Sequence, residues 1–171
     1  MSWEREGNAL NANNYMWSII TDSSGNVYAG GAFQDANFNK YVAKWNGTSW
    51  SELGTGTNAL NANGVILTMA RDGSGNLYAA GYFTNQSGGE YVAIWNGTSW
   101  AELGTGANRL NANNAIWSIL ADASGNIYAA GDFMNTNGKT YVAKWDGTSW
   151  VELGSGSNAI NTNYSISQIA K

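Results

Sequence analysis

A repeat of 50 residues constrains this chain more than any other feature. The run "WNGTSWSELGTGTNALNAN" from Trp45 returns as "WNGTSWAELGTGANRLNAN" from Trp95 and as "WDGTSWVELGSGSNAINTN" from Trp145. A fixed period of this size is typical of arrays, solenoids and propeller blades, whose units bury their faces against their neighbours. We therefore interpret the whole chain, residues 1–171, as one repeat domain. Its parts are the full repeats 8–57, 58–107 and 108–157 and the partial strands 1–7 and 158–171.

Each repeat divides into four short runs that predict an antiparallel meander. The first run, "YMWSIIT" from Tyr15, is apolar on both faces, as expected for a strand covered on both sides. Asp22-Ser-Ser-Gly-Asn26 predicts a tight turn into the second run, "NVYAGGAF". Asn46-Gly47 predicts a two-residue hairpin between the third run, "KYVAKW", and the polar fourth run, "TSWSEL". An apolar first strand and a polar last strand are typical of a β-propeller blade.

These repeats predict an all-β fold, a β-propeller of four-stranded antiparallel blades, with about three and a half blades in the chain. Propeller rings need roughly 4–8 blades, and a lone arc would leave two apolar blade faces in water. We therefore expect oligomerisation to complete the ring. A homodimer is favoured, because its head-to-tail contact closes under two-fold rotation. The alternative is a single-chain, three-fold β-trefoil or β-prism, which needs no partner.

Two motifs carry a resemblance to known propellers. "D-x-S-G-N-[VLI]-Y-A-x-G" and "Y-V-A-x-W-[ND]-G-T-S-W" resemble the repeat of bacterial kelch-like propellers and the blade repeats of two-component-regulator propellers. The pair Gly30-Gly31, followed by Tyr41 and Trp50, is similar to the kelch order, although the second and third repeats read Ala-Gly. The resemblance covers almost the whole chain. It implies a scaffold that usually has six to eight blades, more than this chain holds, and it implies no chemistry.

Composition excludes several classes of function. The chain has no His and no Cys, which excludes imidazole and thiol nucleophile pairs, disulfides and the usual zinc cages. The net charge is −4 with no basic run, which argues against nucleic acid and anionic membranes as partners. No leader-like segment and no apolar run of membrane-spanning length occurs in the sequence. We expect a soluble chain whose compartment the sequence does not indicate.

The acidic residues indicate structure rather than catalysis. They recur once per blade, so each copy lies a full blade from the next, whereas glycosidases need two carboxyls within roughly 5–10 Å. We therefore predict that the protein is not an enzyme and has no catalytic residue, metal site or cofactor. The recurring residues are Asp22, Asp72 and Asp122 in predicted turns and Glu52, Glu102 and Glu152 at predicted sheet edges.

Differences between the repeats concentrate in the loop after the second strand and at the start of the first strand. In a propeller, these positions share one ring face with the Asn-rich links between blades. Amides beside aromatic rings suit a sugar, because polar groups orient its hydroxyls and the ring supplies apolar area. We therefore predict lectin-like glycan binding. The candidate ligand-binding residues are Asn11, Asn13, Tyr15, Trp17, Asn61, Asn63, Asn111, Asn113 and Trp117.

A second hypothesis gives the chain no ligand. In this hypothesis the protein is a structural or protein-interaction scaffold, derived from a fragment of a longer propeller or from a recently duplicated or engineered one. The high identity between the repeats fits recent duplication and design equally well. Glycan binding and its absence on an array distinguish the two hypotheses.

Overall fold

A computed structural model describes residues 9–154 and 156–170, so the predicted partial strand at 1–7 lies outside the described residues. The described chain folds into three four-stranded antiparallel sheets, each with its strands in sequential order. We call the sheets blades 1, 2 and 3. Blade 1 comprises β1 (Met16–Thr21), β2 (Val27–Gly31), β3 (Ala43–Trp45) and β4 (Trp50–Glu52). Blade 2 comprises β5 (Ile66–Arg71), β6 (Leu77–Gly81), β7 (Ala93–Trp95) and β8 (Trp100–Glu102). Blade 3 comprises β9 (Ile116–Ala121), β10 (Ile127–Gly131), β11 (Ala143–Trp145) and β12 (Trp150–Glu152).

The links between blades begin with short 3-10 turns at Gly56–Asn58, Gly106–Asn108 and Gly156–Asn158. Each link runs from the outer strand of one blade to the inner strand of the next. In the described part of the chain, no helix is long and apolar enough to cross a membrane. The prediction of an all-β fold built from four-stranded meanders is confirmed.

The recurring motif Asp-x-Ser-Gly-Asn-x-Tyr forms the turn between the first two strands of each blade. In blade 3, one oxygen of Asp122 accepts from the backbone N–H of Ser124 at 2.8 Å and of Asn126 at 3.0 Å. The other oxygen accepts from the Asn126 amide at 2.7 Å and from the Tyr128 hydroxyl at 3.1 Å. Four donors on one carboxylate explain why the motif recurs, because the carboxylate supplies the turn with acceptors that its backbone lacks.

The hairpin between the third and fourth strands differs from its prediction by one position. Asn46 N donates to Ser49 O at 3.3 Å, so Gly47 and Thr48 are the central residues of the turn, rather than Asn46 and Gly47. The cause is the Asn46 side chain, whose oxygen accepts from the backbone N–H of Thr48 and Ser49, each at 2.9 Å. Asn46 therefore closes the turn from its first position, as Asp146 does in blade 3.

Two separate hydrophobic cores lie between consecutive blades. The core between blades 1 and 2 packs Tyr28, Val42 and Leu53 against Ile66 and Met69 of the next inner strand. The core between blades 2 and 3 contains the equivalent residues, 50 positions later. A β-trefoil or a β-prism would instead share one core on a three-fold axis. This alternative is therefore wrong, and the blades stack as in a propeller.

Hydrogen bonds from side chains reinforce both junctions. At the inner strands, Met69 N donates to the Ser18 hydroxyl at 3.1 Å. At the outer strands, the indole N–H of Trp100 donates to Leu53 O and that of Trp150 to Leu103 O, both at 2.9 Å. Blades 2 and 3 therefore each tie their outer edge to the preceding blade through a buried or half-buried Trp. The fourth strand, which was predicted as a polar edge, thus has an apolar side that joins the core.

The two ends of the stack are less covered than its middle. Ile19 is 59% exposed, whereas its equivalents Met69 and Ile119 are 6% and 5% exposed. At the other end, residues 163–170 lie along blade 3 where the next inner strand would lie, and Ile169 N donates to the Ser118 hydroxyl at 3.0 Å. Part of that face stays open, since Leu153 is 43% exposed and its equivalents are 8% exposed. Completion of a ring by a second copy stays a prediction.

Candidate ligand-binding site

Three of the predicted site residues bind the backbone of their own blade. The side-chain oxygen of Asn113 accepts from Met134 N at 2.8 Å, and its amide donates to Met134 O at 3.3 Å. Asn13 makes the same pair with the backbone of Gln34, at 3.0 and 3.1 Å, and Asn63 has the equivalent position in blade 2. These contacts give the three residues a role in the scaffold. Their role in ligand binding stays a prediction.

Three further predicted residues occupy a position that demands a particular backbone conformation. Asn11, Asn61 and Asn111 have φ angles of 51°, 47° and 44°. Asn tolerates this left-handed region better than most residues, because its short polar side chain can bond locally. The Asn61 amide does so, donating to Gly56 O at 3.4 Å. The turn of the link therefore explains why Asn recurs here.

The aromatic residues among the predictions are split between two environments. Tyr15 and Trp17 in blade 1 are 76% and 57% exposed. Trp117 in blade 3 is half-buried, and its indole N–H donates to Asp132 at 2.8 Å. Its ring meets the ring of Tyr82 edge-on, with the centroids 5.5 Å apart. The structure thus groups Trp117 with two residues that are not among the predicted ones, and the hydrogen bond and the ring contact hold the indole in the scaffold.

A cavity recurs between the incoming link and the outer strands of blades 1 and 3. The blade 3 pocket has a volume of about 340 Å³ and the blade 1 pocket about 270 Å³. Every described residue that lines the blade 1 pocket has its equivalent 100 positions later in the blade 3 pocket. The residues of the blade 1 pocket are Ala9, Leu10, Asp35, Tyr41, Trp50, Ser51 and Glu52. Their equivalents in the blade 3 pocket are Arg109, Leu110, Asn135, Tyr141, Trp150, Val151 and Glu152, joined by Met134, Thr136 and Ala143.

The strand pleat and the loops position the walls of the blade 3 pocket. Trp150 and Glu152 are two apart on β12, so both side chains lie on the same face of the sheet. Tyr141 packs edge-on against the buried ring of Phe133, with the centroids 4.9 Å apart. The Asn135 amide donates to both oxygens of Glu152, at 3.1 and 3.2 Å, and orients the carboxylate. The aromatic and acidic side chains are therefore held in place before any ligand arrives.

Charge is arranged with both signs at the blade 3 pocket. Arg109 enters from the link and lies with its Nε 3.5 Å from the Glu102 carboxylate of blade 2. Burial, and then the charge of Glu152, raise the pKa of the Tyr141 hydroxyl, which stays protonated at neutral pH. A guanidinium, a carboxylate and a phenol around one cavity can donate to and accept from the same hydroxylated ligand. The described residues bring no three His, Cys, Asp or Glu side chains together as a metal site.

The pocket residues were visible in the sequence only as scaffold motif. Tyr41, Trp50 and Glu52 recur at a period of 50 with every repeat, and such invariance within one chain predicts structure as readily as binding. The signal that could have found the pocket is Arg109, the one charged residue at a position that holds Ala in the other repeats. A charge that appears once in an otherwise constant link needs a local reason.

The solved structures that resemble this fold include two proteins of bacterial origin. One is a fucose lectin from Kordia zhangzhouensis in complex with methyl-fucoside, with a TM-score of 0.50 at 18% identity over 82% of this chain and 97% of that chain. The other is PorZ, an essential bacterial surface component of the type-IX secretion system of Porphyromonas gingivalis, with a TM-score of 0.62 at 13% identity. That match covers 99% of this chain and 25% of PorZ, so the chain spans about a quarter of it. No family model and no curated protein matches the sequence. At these identities the likeness shows the fold alone.

Proposed function

We propose that this protein is a lectin-like module that binds a saccharide in the pockets between its links and the outer strands of its blades. The observation that carries the proposal is the blade 3 pocket, where Trp150 and Tyr141 lie beside Glu152 and Arg109 around a cavity of about 340 Å³. Saccharide sites combine an aromatic surface with polar groups that fix the hydroxyls, and this volume falls within the range of small-molecule sites. The similar fold of a fucose lectin supports the proposal as an analogy of scaffold.

The placement of the site differs from the ring-face prediction made from the sequence. Asn13, Asn63 and Asn113 use their amides to hold loop backbone, which leaves each with fewer free donors and acceptors. Glu152 and Tyr141, by contrast, border an open cavity. A neighbouring depression of about 370 Å³ also contains Asn135 and Glu152, so an oligosaccharide could extend past the first pocket. We therefore favour the pockets over the ring face.

A glycan array probed with the intact chain tests the proposal. Glu152→Gln and Tyr141→Phe remove an acceptor charge and a hydroxyl from the pocket while keeping the shape of each side chain. We expect each variant to weaken the strongest array signal about tenfold, the effect of losing one hydrogen bond to a charged or polar ligand group. Asp146→Asn is the control, because this residue lies in the hairpin and repeats 1 and 2 already hold Asn there.

Two results would contradict the proposal. The first is an array without any saccharide signal at high protein concentration, which would favour the scaffold hypothesis. The second is a signal that both pocket variants keep in full, or that Asp146→Asn lowers equally. A signal that is lost in Trp17→Ala and kept in Glu152→Gln would instead return the site to the ring face.

We also propose that the chain associates with a second copy of itself. Ile19 and Leu153 are 59% and 43% exposed, although the same positions are buried wherever a neighbouring blade is present. Exposed apolar surface of this kind favours association with a surface that fits it, and each end of the stack carries the residues that complement the other. Residues 163–170 already cover the inner part of blade 3, so the contact would involve its outer part.

Light scattering measures this association directly. We expect a mass above the 18.2 kDa of one chain, and a return to one chain in Leu153→Asn. Phe38→Gly is the matched control, because it removes a side chain that is 72% exposed but lies in a loop rather than in a blade face. A mass of one chain at all accessible concentrations would exclude self-association.

A further inference from the structure

The blade 1 and blade 3 pockets differ in charge although they share their architecture. Position 135 holds Asn in blade 3, and the equivalent position 35 holds Asp. Position 109 holds Arg, and the equivalent position 9 holds Ala. One pocket therefore pairs a carboxylate with an amide and a guanidinium, whereas the other pairs it with a second carboxylate.

The two loops hold residues 35 and 135 in the same way. Asn135 accepts through its side-chain oxygen from the backbone N–H of Asn137 at 3.0 Å and of Lys139 at 3.2 Å. Asp35 accepts from the backbone N–H of Asn37 at 2.8 Å and of Asn39 at 2.9 Å. The second polar atom of the side chain is therefore an amide nitrogen in Asn135 and a carboxylate oxygen in Asp35.

This exchange removes the donor that satisfies the neighbouring Glu. In blade 3, the Asn135 amide donates to Glu152, and in blade 2 the Asn85 amide donates to Glu102 at 3.0 Å. In blade 1, the carboxylates of Asp35 and Glu52 are both acceptors, so Glu52 has no amide donor at this position. Burial, and then the charge of Asp35, raise the pKa of Glu52, which indicates that the two carboxylates repel each other.

No cationic side chain lines the blade 1 pocket among the residues that the structure describes. The ammonium group of Lys40, on the same loop, instead donates a hydrogen bond to Phe38 O at 3.3 Å. A ligand that brings its own positive charge and several donors would supply what Arg109 and the Asn amide supply elsewhere. The aromatic wall of Tyr41 and Trp50 adds a surface that attracts cations as well as sugar faces.

We propose that the blade 1 pocket selects a saccharide that carries a protonated amine, whereas the blade 3 pocket accepts neutral saccharides. Asp35 is the specificity-determining residue, because it turns a donor-acceptor pair into a pair of acceptors. An ammonium group has three donors and no acceptor, so it can bond both carboxylates and offset their repulsion. This inference rests on the proposed saccharide binding.

The test compares glucosamine, whose amine can be protonated, with N-acetylglucosamine, whose nitrogen carries an acetyl group and is neutral. Each is titrated into the intact, isotope-labelled chain, and the indole N–H resonances of Trp50 and Trp150 report the two pockets separately. We expect the Trp50 signal to respond to glucosamine at about tenfold lower concentration than to N-acetylglucosamine, the effect of one charge-assisted contact. The Trp150 signal should show no such preference, which controls for unspecific attraction to a chain of net charge −4.

Two variants assign the preference to its residue. Asp35→Asn should abolish the glucosamine preference at Trp50 and leave the response to N-acetylglucosamine. Asn135→Asp combined with Arg109→Ala should create the preference at Trp150. The inference is overturned if both pockets prefer glucosamine equally, or if Asp35→Asn keeps the preference. If neither sugar moves either indole signal, this inference is overturned, and the saccharide proposal fails with it only if the glycan array is silent as well. A response to both sugars without discrimination overturns this inference alone.

Discussion

The turn carboxylates carry a charge that the folded state stabilises. In Asp122, the side-chain bond from Asn126 and further donors outweigh partial desolvation and lower the pKa from its ordinary value of 3.8 to about 2. The bonds that lower it favour the ionised form, which the folded state therefore holds more strongly than the unfolded chain does. Asp22 shows the same shift, to about 2, through the equivalent bonds from Asn26.

The lowered pKa predicts a loss of stability in acid. The stabilisation is complete above the pKa of the unfolded chain, near 4, and is lost as the pH falls through the folded pKa of about 2. Urea denaturation of the wild type and Asp122→Asn should therefore differ most in the free energy of unfolding at pH 7, and the difference should shrink toward pH 2. A difference that stays constant over this range would contradict the prediction.

The two hydrogen bonds between the Asn113 side chain and the backbone of Met134 predict that removing this side chain lowers stability. Asn113→Ala removes the two bonds to the backbone of Met134 and leaves its N–H and carbonyl without their side-chain partner. We expect a loss of about 1–2 kcal/mol in the free energy of unfolding. The control is Asn137→Ala in the exposed tip of the neighbouring loop. Equal thermal midpoints for Asn113→Ala and the wild type would show that water fully replaces these two hydrogen bonds.

The candidate site was less predictable than the turns because sequence shows residue type and spacing, not what an amide is bonded to. Asn13 and Asn113 have the composition of a sugar site, yet their partners lie 21 residues away in the chain. Arg109 and Glu152 lie near opposite ends of the third repeat and line one cavity only when the link lies beside the outer strand of blade 3. The charge difference between Asp35 and Asn135 is visible in the sequence, but its meaning needs the neighbouring Glu.

At the scale of the strand, most of the fold follows from the repeat itself. The strongly apolar first run and the Asp-x-Ser-Gly-Asn turn give β1 and β2 nearly at their observed bounds, and the polar fourth run gives β4. The periodicity of the sequence could not predict which neighbouring blade each sheet face packs against. Trp100 faces the core because it reaches Leu53 O of the preceding blade, a contact that no local pattern encodes. The relation to kelch-like propellers stays a prediction.

The pairing of β1 with β2 predicts a sharp difference between two adjacent glycines. A Cβ on Gly31 would lie 2.2 Å from Tyr15 O, a backbone atom that can move away only if the chain at the start of β1 shifts. A Cβ on Gly30 would meet a methyl of Ile66 at 2.8 Å and the sulfur of Met69 at 3.2 Å. The second contact is with side chains, one of them flexible, and repeats 2 and 3 hold Ala at this position.

We therefore expect Gly31→Ala to cost about 2–3 kcal/mol and Gly30→Ala less than half as much, since only the first forces the backbone to shift. Chemical denaturation of the two variants measures the difference, and each serves as the control for the other because both add the same methyl group. Equal costs would mean that the backbone at the start of β1 shifts more readily than its geometry indicates.

The molecule as a whole is a stack whose stability depends on nearest neighbours. Blade 2 has a blade on either side, whereas one face of blade 1 lacks such cover among the described residues. In stacked repeats each unit is stabilised by its own folding and by its interfaces, so a unit with one interface opens more easily. The inner strand shows the difference directly, since β1 has no buried residue and β5 has three.

This gradient predicts an order of amide hydrogen exchange. The N–H groups of β5 and β6 should exchange slowest, because blades 1 and 3 cover both faces of their sheet. Those of β1 should exchange fastest among the inner strands. At rising protein concentration, a second copy that covers Ile19 should slow exchange in β1 while leaving β5 unchanged, since mass action stabilises only the face that the partner binds. Uniform protection of all three blades at every concentration would contradict the nearest-neighbour description. Exchange in β1 that is fast and independent of concentration would keep the gradient and exclude a partner at this face.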